Sequence, residues 1–403
     1  IGVNEFATLL GLDSSTAAQL RAERKRDQSG FPAVVSESGR TFLHRLEDLI
    51  TWIEASRFGS IVAAQPSEVA SWRLERLMRT VVEQVGVVPA RRLLAALALD
   101  ATQQDLTKES ASARANLAER LLQDLPDETA SASKRIANEF GRDTVDIAAV
   151  DRVLVELGSH QPGIPNRTDN DIARLAALIL DTDKGDVVYE PTSGECEILL
   201  RVAELATQRN KPLHQVAGSD DDIEASLIGE ARLRLAGVDA IIGPTPNAGS
   251  VNRLIIDPGW STDRRHLARW TRLLHRDGRA IVITKIAGFD PDLLAELPPS
   301  TIIFPPQRPP TAQGATVLWV SEPFRDEPGE CNIIDLRKHT AGNELPIQDQ
   351  LGIVSAALNL QLPPTTEVAK TAKPSQGDQS AMPPRAVVVP FADLEDALEP
   401  AIA

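Results

Sequence analysis

The chain has 403 residues, 42% of them apolar, and a formal net charge of −15. That length predicts two or three globular units joined by linkers, and the acidic balance excludes a protein that coats nucleic acid over its whole surface, though not one with a local basic face. No uncharged apolar run approaches the roughly 18 residues of a membrane span, so no membrane partner is expected. Cys196 and Cys331 stand alone, outside CxxC or Cys/His spacing, which predicts neither a zinc site nor a disulfide framework. Ile1-Gly2-Val3-Asn4-Glu5 lacks a secretory signal pattern, the missing initiator Met suggests a trimmed chain, and a reducing cytoplasm is the expected compartment.

Residues 1–58 read as a winged helix-turn-helix. A short helix over 4–10 closes at Gly11, and Asp13-Ser14-Ser15-Thr16 caps a second helix carrying Leu20, Arg21, Arg24, Lys25 and Arg26. A basic second helix after a glycine turn is the arrangement that enters the major groove. Gly30 to Val35, a turn at Glu37-Ser38-Gly39, and Arg40-Thr41-Phe42-Leu43 then predict a two-stranded wing, followed by a helix over Leu46 to Ile53. The order resembles the small winged helices of the excisionase type. Arg21, Arg24, Lys25, Arg26 and Arg40 are the candidate DNA-binding residues, with double-stranded DNA as partner; the competing reading is a helical protein-interaction module with a solvated charged face.

Residues 59–66 form a linker, and 67–160 a helical spacer. Trp72, Leu74, Leu77, Met78, Val81, Val82 and Val85 keep helical spacing, and Pro89 restarts a helix at Ala90. Leu117, Leu121 and Leu122 mark another helix, and Ile147, Val150, Val153, Leu154 and Leu157 the last. No chemical constellation is visible there.

From residue 165 to 340, short apolar strands alternate with helices. A helix over 169–180 precedes a strand at Val187 to Tyr189, a turn at Glu190-Pro191-Thr192-Ser193-Gly194-Glu195-Cys196, and a helix from Ile198 to Gln208. Further strands are predicted at 215–218, 238–242, 254–256, 280–283, 301–304, 315–320 and 331–336, with a helix from Ile223 and another holding Leu267, Trp270, Leu273 and Leu274. Such alternation predicts a doubly wound, mostly parallel α/β sheet of Rossmann-like form, with ligands at the strand ends. Residues 341–403 predict a helix over Pro346 to Leu360, a flexible linker over 362–385, and an ordered tail at Val387 to Leu394.

Residues 165–336 resemble the bacterial adenine-N6 DNA methyltransferases of the type I modification-subunit kind, and the whole chain resembles members with an amino-terminal helix-turn-helix and a helical spacer. In that family the first strand ends in Asp-Pro-x-x-Gly-Ser-Gly, matched here by Glu190 to Cys196. The resemblance implies an S-adenosylmethionine-dependent methyltransferase domain. Glu190, Pro191, Thr192 and Gly194 would hold the methionine part of the cofactor, and Asp220 the ribose hydroxyls. The helix Ile172 to Leu180 sits where the family has a cofactor-covering segment. Asn/Asp-Pro-Pro-aromatic, the family's catalytic motif, is matched by Asp257-Pro258-Gly259-Trp260. There Asp257 and the Pro258 carbonyl would accept the amine hydrogens of a flipped adenine, and Trp260 would stack on it; no metal is called for. A rival alignment places the motif at Gly243-Pro244-Thr245-Pro246, which lacks an amine acceptor. Specificity or defence-system subunits are the implied partners, and a homodimer is compatible.

Three departures stand at the defining positions. Glu195 places a carboxylate where the family has Ser, close to the cofactor's own carboxylate, and two like charges about 4 Å apart there repel by roughly 4 kcal/mol at an effective dielectric of 20. Cys196 replaces a glycine that serves positive φ or close approach, and Gly259 replaces the second proline. The sequence therefore supports two functions on one fold: an adenine-N6 methyltransferase acting in DNA modification or defence, and a catalytically inactive pseudo-methyltransferase serving as DNA-binding scaffold or regulator. A protein-interaction platform is a third. Ser193 with His214 lacks a Gly-x-Ser-x-Gly elbow, His266 and His275 read as solvated positions on one helix, and Trp270 and Trp319 as core.

Overall fold

The structure, a computed structural model, describes residues 2–3, 6–7, 18–19, 22, 31–38, 41–55, 66–102, 106–141, 145–159, 168–257, 264–285, 297–306, 316–322, 330–339, 346–360 and 387–390. The chain divides into two compact units, Ile1–Pro162 and Gly163–Ala403.

In the first unit, β1 (Val34–Ser38) and β2 (Thr41–His44) form an antiparallel hairpin, followed by α1 (Leu46–Ala55). Leu49, Ile50 and Ile53 of α1 are buried, as are Val3, Phe6 and Ala7. Phe31 packs edge-on against Trp52 and His44, with ring centroids 4.7 and 5.3 Å apart. A two-stranded hairpin and a following helix stand at the expected positions. Arg21, Arg24, Lys25, Arg26 and Arg40, with most of the stretch where two preceding helices are expected, lie outside the described residues.

Five helices follow: α2 (Pro66–Val85), α3 (Val87–Ala101), α4 (Lys108–Leu122), α5 (Thr129–Phe140) and α6 (Ile147–Ser159). Leu74, Met78 and Val81, at i, i+4 and i+7, are buried on one stripe. Contrary to the expectation of a restart at Ala90, α3 begins at Val87 after Gly86 (φ 85°), and Pro89 occupies its first turn, where a missing N–H costs nothing. Helix α5 escaped prediction because it buries only Thr129, Ala132 and Ile136. Three arginines here serve helix ends and crossings. Arg114 donates to the Thr102 carbonyl beyond α3 (2.9 Å), Arg92 to the Gln123 carbonyl beyond α4 (2.7 Å), and buried Arg91 to the Leu154 carbonyl (3.1 Å).

The second unit is a nine-stranded sheet with helices on both faces. Its elements are α7 (Asn170–Leu180), β3 (Val187–Glu190), α8 (Glu197–Gln208), β4 (Gln215–Gly218), α9 (Ile223–Leu235), β5 (Ala240–Ile242), β6 (Val251–Ile256), α10 (Arg264–Thr271), β7 (Leu274–Lys285), β8 (Pro299–Phe304), β9 (Thr316–Ser321), β10 (Glu330–Asp335), α11 (Ile347–Leu358) and β11 (Val387–Pro390). The strand order is β11-β10-β8-β9-β7-β6-β3-β4-β5. Strands β3 to β7 are parallel, while β9 runs antiparallel to both β7 and β8. A reversed strand beside β7 separates this sheet from the six parallel strands of the dinucleotide-binding order. Strand β11 pairs antiparallel with β10, and Leu351 and Val354 of α11 join the core, so the ordered parts of 341–403 belong to this unit.

Alternation splits the strands between two cores. Val188, Val216, Ile255, Ile281 and Ile303 face α7, α8 and α11, while Tyr189, Leu254, Ile256, Val282 and Trp319 face the side of α10. Arg279 and Arg253 donate to the carbonyls of Ile179 and Asp181 at the C-terminal end of α7 (3.1 and 3.2 Å), which fixes that helix over β6 and β7. One prediction is corrected here. The helix carrying Leu267 ends at Thr271, and β7 already begins at Leu274, so exposed His275 lies on a strand and not on the helix with His266. Val251 pairs with Leu274 and Arg253 with Arg279, so the register between β6 and β7 shifts at a bulge near the start of β7.

Candidate functional site

The order of strands reverses between β3 and β6, and that crevice is where a sheet of this kind accepts ligands. β3 ends in Glu190 and β6 is followed by Asp257. Glu190 is two residues past Val188, and Asp257 two past Ile255, so both project on the α7/α8 face. The loop after β3 is tied to the loop after β4. Ser193 N–H donates to the Ser219 carbonyl (2.9 Å), Ser219 N–H to the Glu190 carbonyl (3.0 Å), and the Tyr189 and Ser219 hydroxyls lie 2.8 Å apart. A Cβ on Gly218 would stand 2.8 Å from Ser193 Cβ, so glycine is required for the two loops to approach.

The expected cofactor residues meet here. Gly194 has φ +47°, and its N–H donates to Asp220 Oδ2 (2.8 Å), whose Oδ1 accepts from Asp222 N–H (2.9 Å). A Cβ on Gly194 would meet no described atom within 4 Å, which leaves open space above the turn. Thr192 Oγ1 donates to the Asp257 carbonyl (2.9 Å), and the Thr168 hydroxyl, two residues before α7, donates to Asp257 Oδ2. Pro191 is buried, and its carbonyl accepts from Ser219 Oγ (3.1 Å). Pro258 and Trp260 lie outside the described residues. The rival stretch Gly243 to Pro246 follows β5, the edge strand, two strands away from β3.

Cys196 takes up the left-handed conformation (φ 60°), as the replaced glycine predicts. Its Sγ turns into the fold, so that a Cβ on Gly229 of α9 would lie 2.6 Å from it. Burial first, and the neighbouring Glu190 second, push the thiol above its ordinary range. The backbone carbonyl of half-buried Glu195 accepts from Arg232 Nη1 (2.8 Å). Arg232, fully buried on α9, also pairs with Glu197 (2.8 Å), whose other oxygen pairs with Arg201 (2.9 Å). Arg232, Glu197 and Thr168 hold the site together and escaped sequence reasoning; their contacts cross 35, 4 and 89 positions, and only the (i, i+4) spacing of Glu197 and Arg201 was legible.

Like-charge crowding among the chain's own acids arises at Glu190. Its side chain is 2% exposed and Oε2 has no hydrogen-bond partner. Burial raises its pKa well above the ordinary range, and Asp257, Asp220 and Glu197 raise it further. Among the described residues, no group of His, Cys, Asp and Glu is arranged to hold a metal ion, and no helix is long and apolar enough to cross a membrane.

Neither a protein-family model nor a curated protein matches the chain. Among solved structures it is similar to the methyltransferase subunit of a type I restriction-modification system from Streptococcus thermophilus, at 14% identity and a TM-score of 0.49, over 88% of this chain and 84% of that one. It is also similar to the EcoKI M protein, a type I restriction enzyme subunit, at 14% identity and a TM-score of 0.41, over 82% and 87% of the two chains. A putative class I S-adenosylmethionine-dependent methyltransferase from Listeria monocytogenes matches at 13% identity and a TM-score of 0.44, over 64% and 94%.

Proposed function

We propose that the second unit binds S-adenosylmethionine and belongs to a protein of the adenine-N6 DNA methyltransferase kind, brought to DNA by its amino-terminal winged helix. One observation carries this reading: the Thr192–Asp257 hydrogen bond joins the turn after β3 to the turn after β6 at the switch point, so cofactor loop and catalytic turn meet. The residues present fit such a cofactor. Glu190 has a buried oxygen lacking a donor, Gly194 has open space beside it, and Asp220 keeps lone pairs on two oxygens already oriented by backbone N–H groups. S-adenosylmethionine, when bound, supplies an activated methyl group.

In this reading Glu190 meets the cofactor's ammonium and Asp220 its ribose hydroxyls. Asp257 and the Pro258 carbonyl accept the N–H groups of a target adenine, which keeps the lone pair on nitrogen directed at the methyl group, and Trp260 stacks on the base. Arg21, Arg24, Lys25, Arg26 and Arg40 contact DNA phosphates and groove edges. Specificity or defence subunits and a homodimer belong to the same proposal. Isothermal calorimetry with S-adenosylmethionine tests it: saturable binding is expected, and no binding at millimolar cofactor overturns it.

A second reading, a pseudo-methyltransferase that binds without transferring, draws on the Thr168–Asp257 contact, which occupies the carboxylate an adenine amine needs. Methyl transfer to adenine-containing duplex DNA, followed with isotope-labelled cofactor, separates the two. Transfer abolished by Asp257→Ala supports the enzyme. Binding without transfer, in wild type and in Thr168→Val alike, supports the scaffold.

A further inference from the structure

Within the crevice, one group is in a state that the proposed chemistry must change. Glu190 is buried to 2% exposure at the end of β3, and its Oε2 has no partner among the described residues. The charged groups acting on it come from three directions, and all are acids: Asp257 after β6, Asp220 after β4, and Glu197 at the start of α8. Glu197 is compensated by Arg201 and Arg232. Asp220 accepts from the Gly194 and Asp222 N–H groups, and Asp257 from the Thr168 hydroxyl. Buried Cys196 lies near enough for Glu190 to oppose its ionisation, and it stays a neutral thiol. A bare carboxylate at Glu190 would therefore be an uncompensated buried charge among like charges, several kcal/mol unfavourable.

We propose that Glu190 carries a proton in the ligand-free protein, and that an ammonium-bearing ligand displaces it, so that cofactor binding releases a proton. The inference rests on the cofactor reading above and adds a charge exchange to it. The balance is simple. The Glu190 carboxyl loses its proton to solvent and the carboxylate accepts a hydrogen bond from the ligand's ammonium, so the proton released carries away the charge that the ammonium brings in and the site stays neutral. Affinity for such a ligand then rises with pH until Glu190 is ionised in the free protein. Ligands that lack the ammonium group gain nothing from the exchange.

Calorimetry of the full chain at neutral pH, in buffers of different ionisation enthalpy, counts the protons. S-adenosylmethionine and S-adenosylhomocysteine, which share the ammonium, are each expected to release protons on binding, up to one per molecule bound. Methylthioadenosine, which lacks it, is expected to bind with none, and Glu190→Gln, which imitates the neutral acid, is expected to bind all three without proton exchange. Binding of S-adenosylmethionine with no release by wild type overturns the proposal and leaves the cofactor reading intact. Equal release with methylthioadenosine, or undiminished release in Glu190→Gln, also overturns it. No binding of any of the three overturns both.

Discussion

Thr192 Oγ1 donates a 2.9 Å hydrogen bond to the main-chain carbonyl of Asp257, across 65 positions of sequence. The bond sets the direction of the peptide that leads into Pro258, whose own carbonyl the proposed chemistry uses. Thr192→Val keeps the shape and removes the donor. It is expected to lower stability by about 1 kcal/mol in urea denaturation and to weaken S-adenosylmethionine binding, while Thr192→Ser stays close to wild type on both. Equal loss in the Ser and Val variants would mean that the methyl group, not the hydroxyl, matters here.

Arg232 holds the same loop from behind. It is buried, and it bonds both the Glu195 carbonyl and the Glu197 carboxylate. Arg232→Met takes one guanidinium from the Glu197 carboxylate and a donor from the Glu195 carbonyl, so a loss of roughly 3 kcal/mol is expected in guanidinium denaturation. Arg232→Met combined with Glu197→Gln should lose less than the single change, because no buried charge is then left short of partners. Additive losses in the double variant would contradict that coupling.

These relationships also show which parts of the molecule were legible in the sequence. Strands such as Gln215–Gly218 and helices such as Asn170–Leu180 follow from apolar runs and their spacing, and both are found in the structure. The reversed β9 was visible as a strand but not as reversed, because direction is decided by long-range pairing with β7 and β8. The acids at 190, 220 and 257 stood out from the pattern of strand ends. Burial did not: that Glu190 lies inside the sheet end among the other acids follows only from the fold. Arg232 was invisible for the same reason, since a cation on α9 reads as a solvated face until the loop it serves is in place.

Glu190 also sets a pH dependence of stability. Its folded pKa lies well above the ordinary 4.5, so at pH values between the two the folded chain holds a proton that the unfolded chain has released. Stability from this group is complete below the unfolded value and is lost as pH rises toward the folded one. Glu190→Gln should remove that slope. As pH rises above the ordinary carboxylate range, the wild-type midpoint of thermal unfolding should fall relative to the variant's, and parallel curves would show that Glu190 is charged in the folded chain.

Both cysteines are predicted to be unreactive in the native protein. Cys196 and Cys331 are buried; burial pushes the Cys331 thiol up to about 12 and the Cys196 thiol higher. Nucleophilic attack needs the thiolate, so Ellman's reagent at mildly alkaline pH should find neither thiol until denaturant is added, and then both. Fast labelling of one thiol in the native state would point to local opening at that position.

Two helical glycines test the packing behind the site by contrast. A Cβ at Gly352 in α11 would meet nothing within 4 Å, whereas one at Gly229 in α9 would lie 2.6 Å from Cys196 Sγ and 3.0 Å from the Glu195 carbonyl carbon. Gly352→Ala is therefore expected to stabilise by about 0.5–1 kcal/mol through helix propensity alone. Gly229→Ala should destabilise by about 1–3 kcal/mol, because the loop cannot retreat while Arg232 holds it. Adding Cys196→Ala removes the closest contact but not the backbone ones, so the double variant should recover part of the loss and not all of it. A double-mutant cycle read by chemical denaturation measures that coupling; a coupling of zero would mean that the loop from Gly194 to Cys196 does not rest on α9.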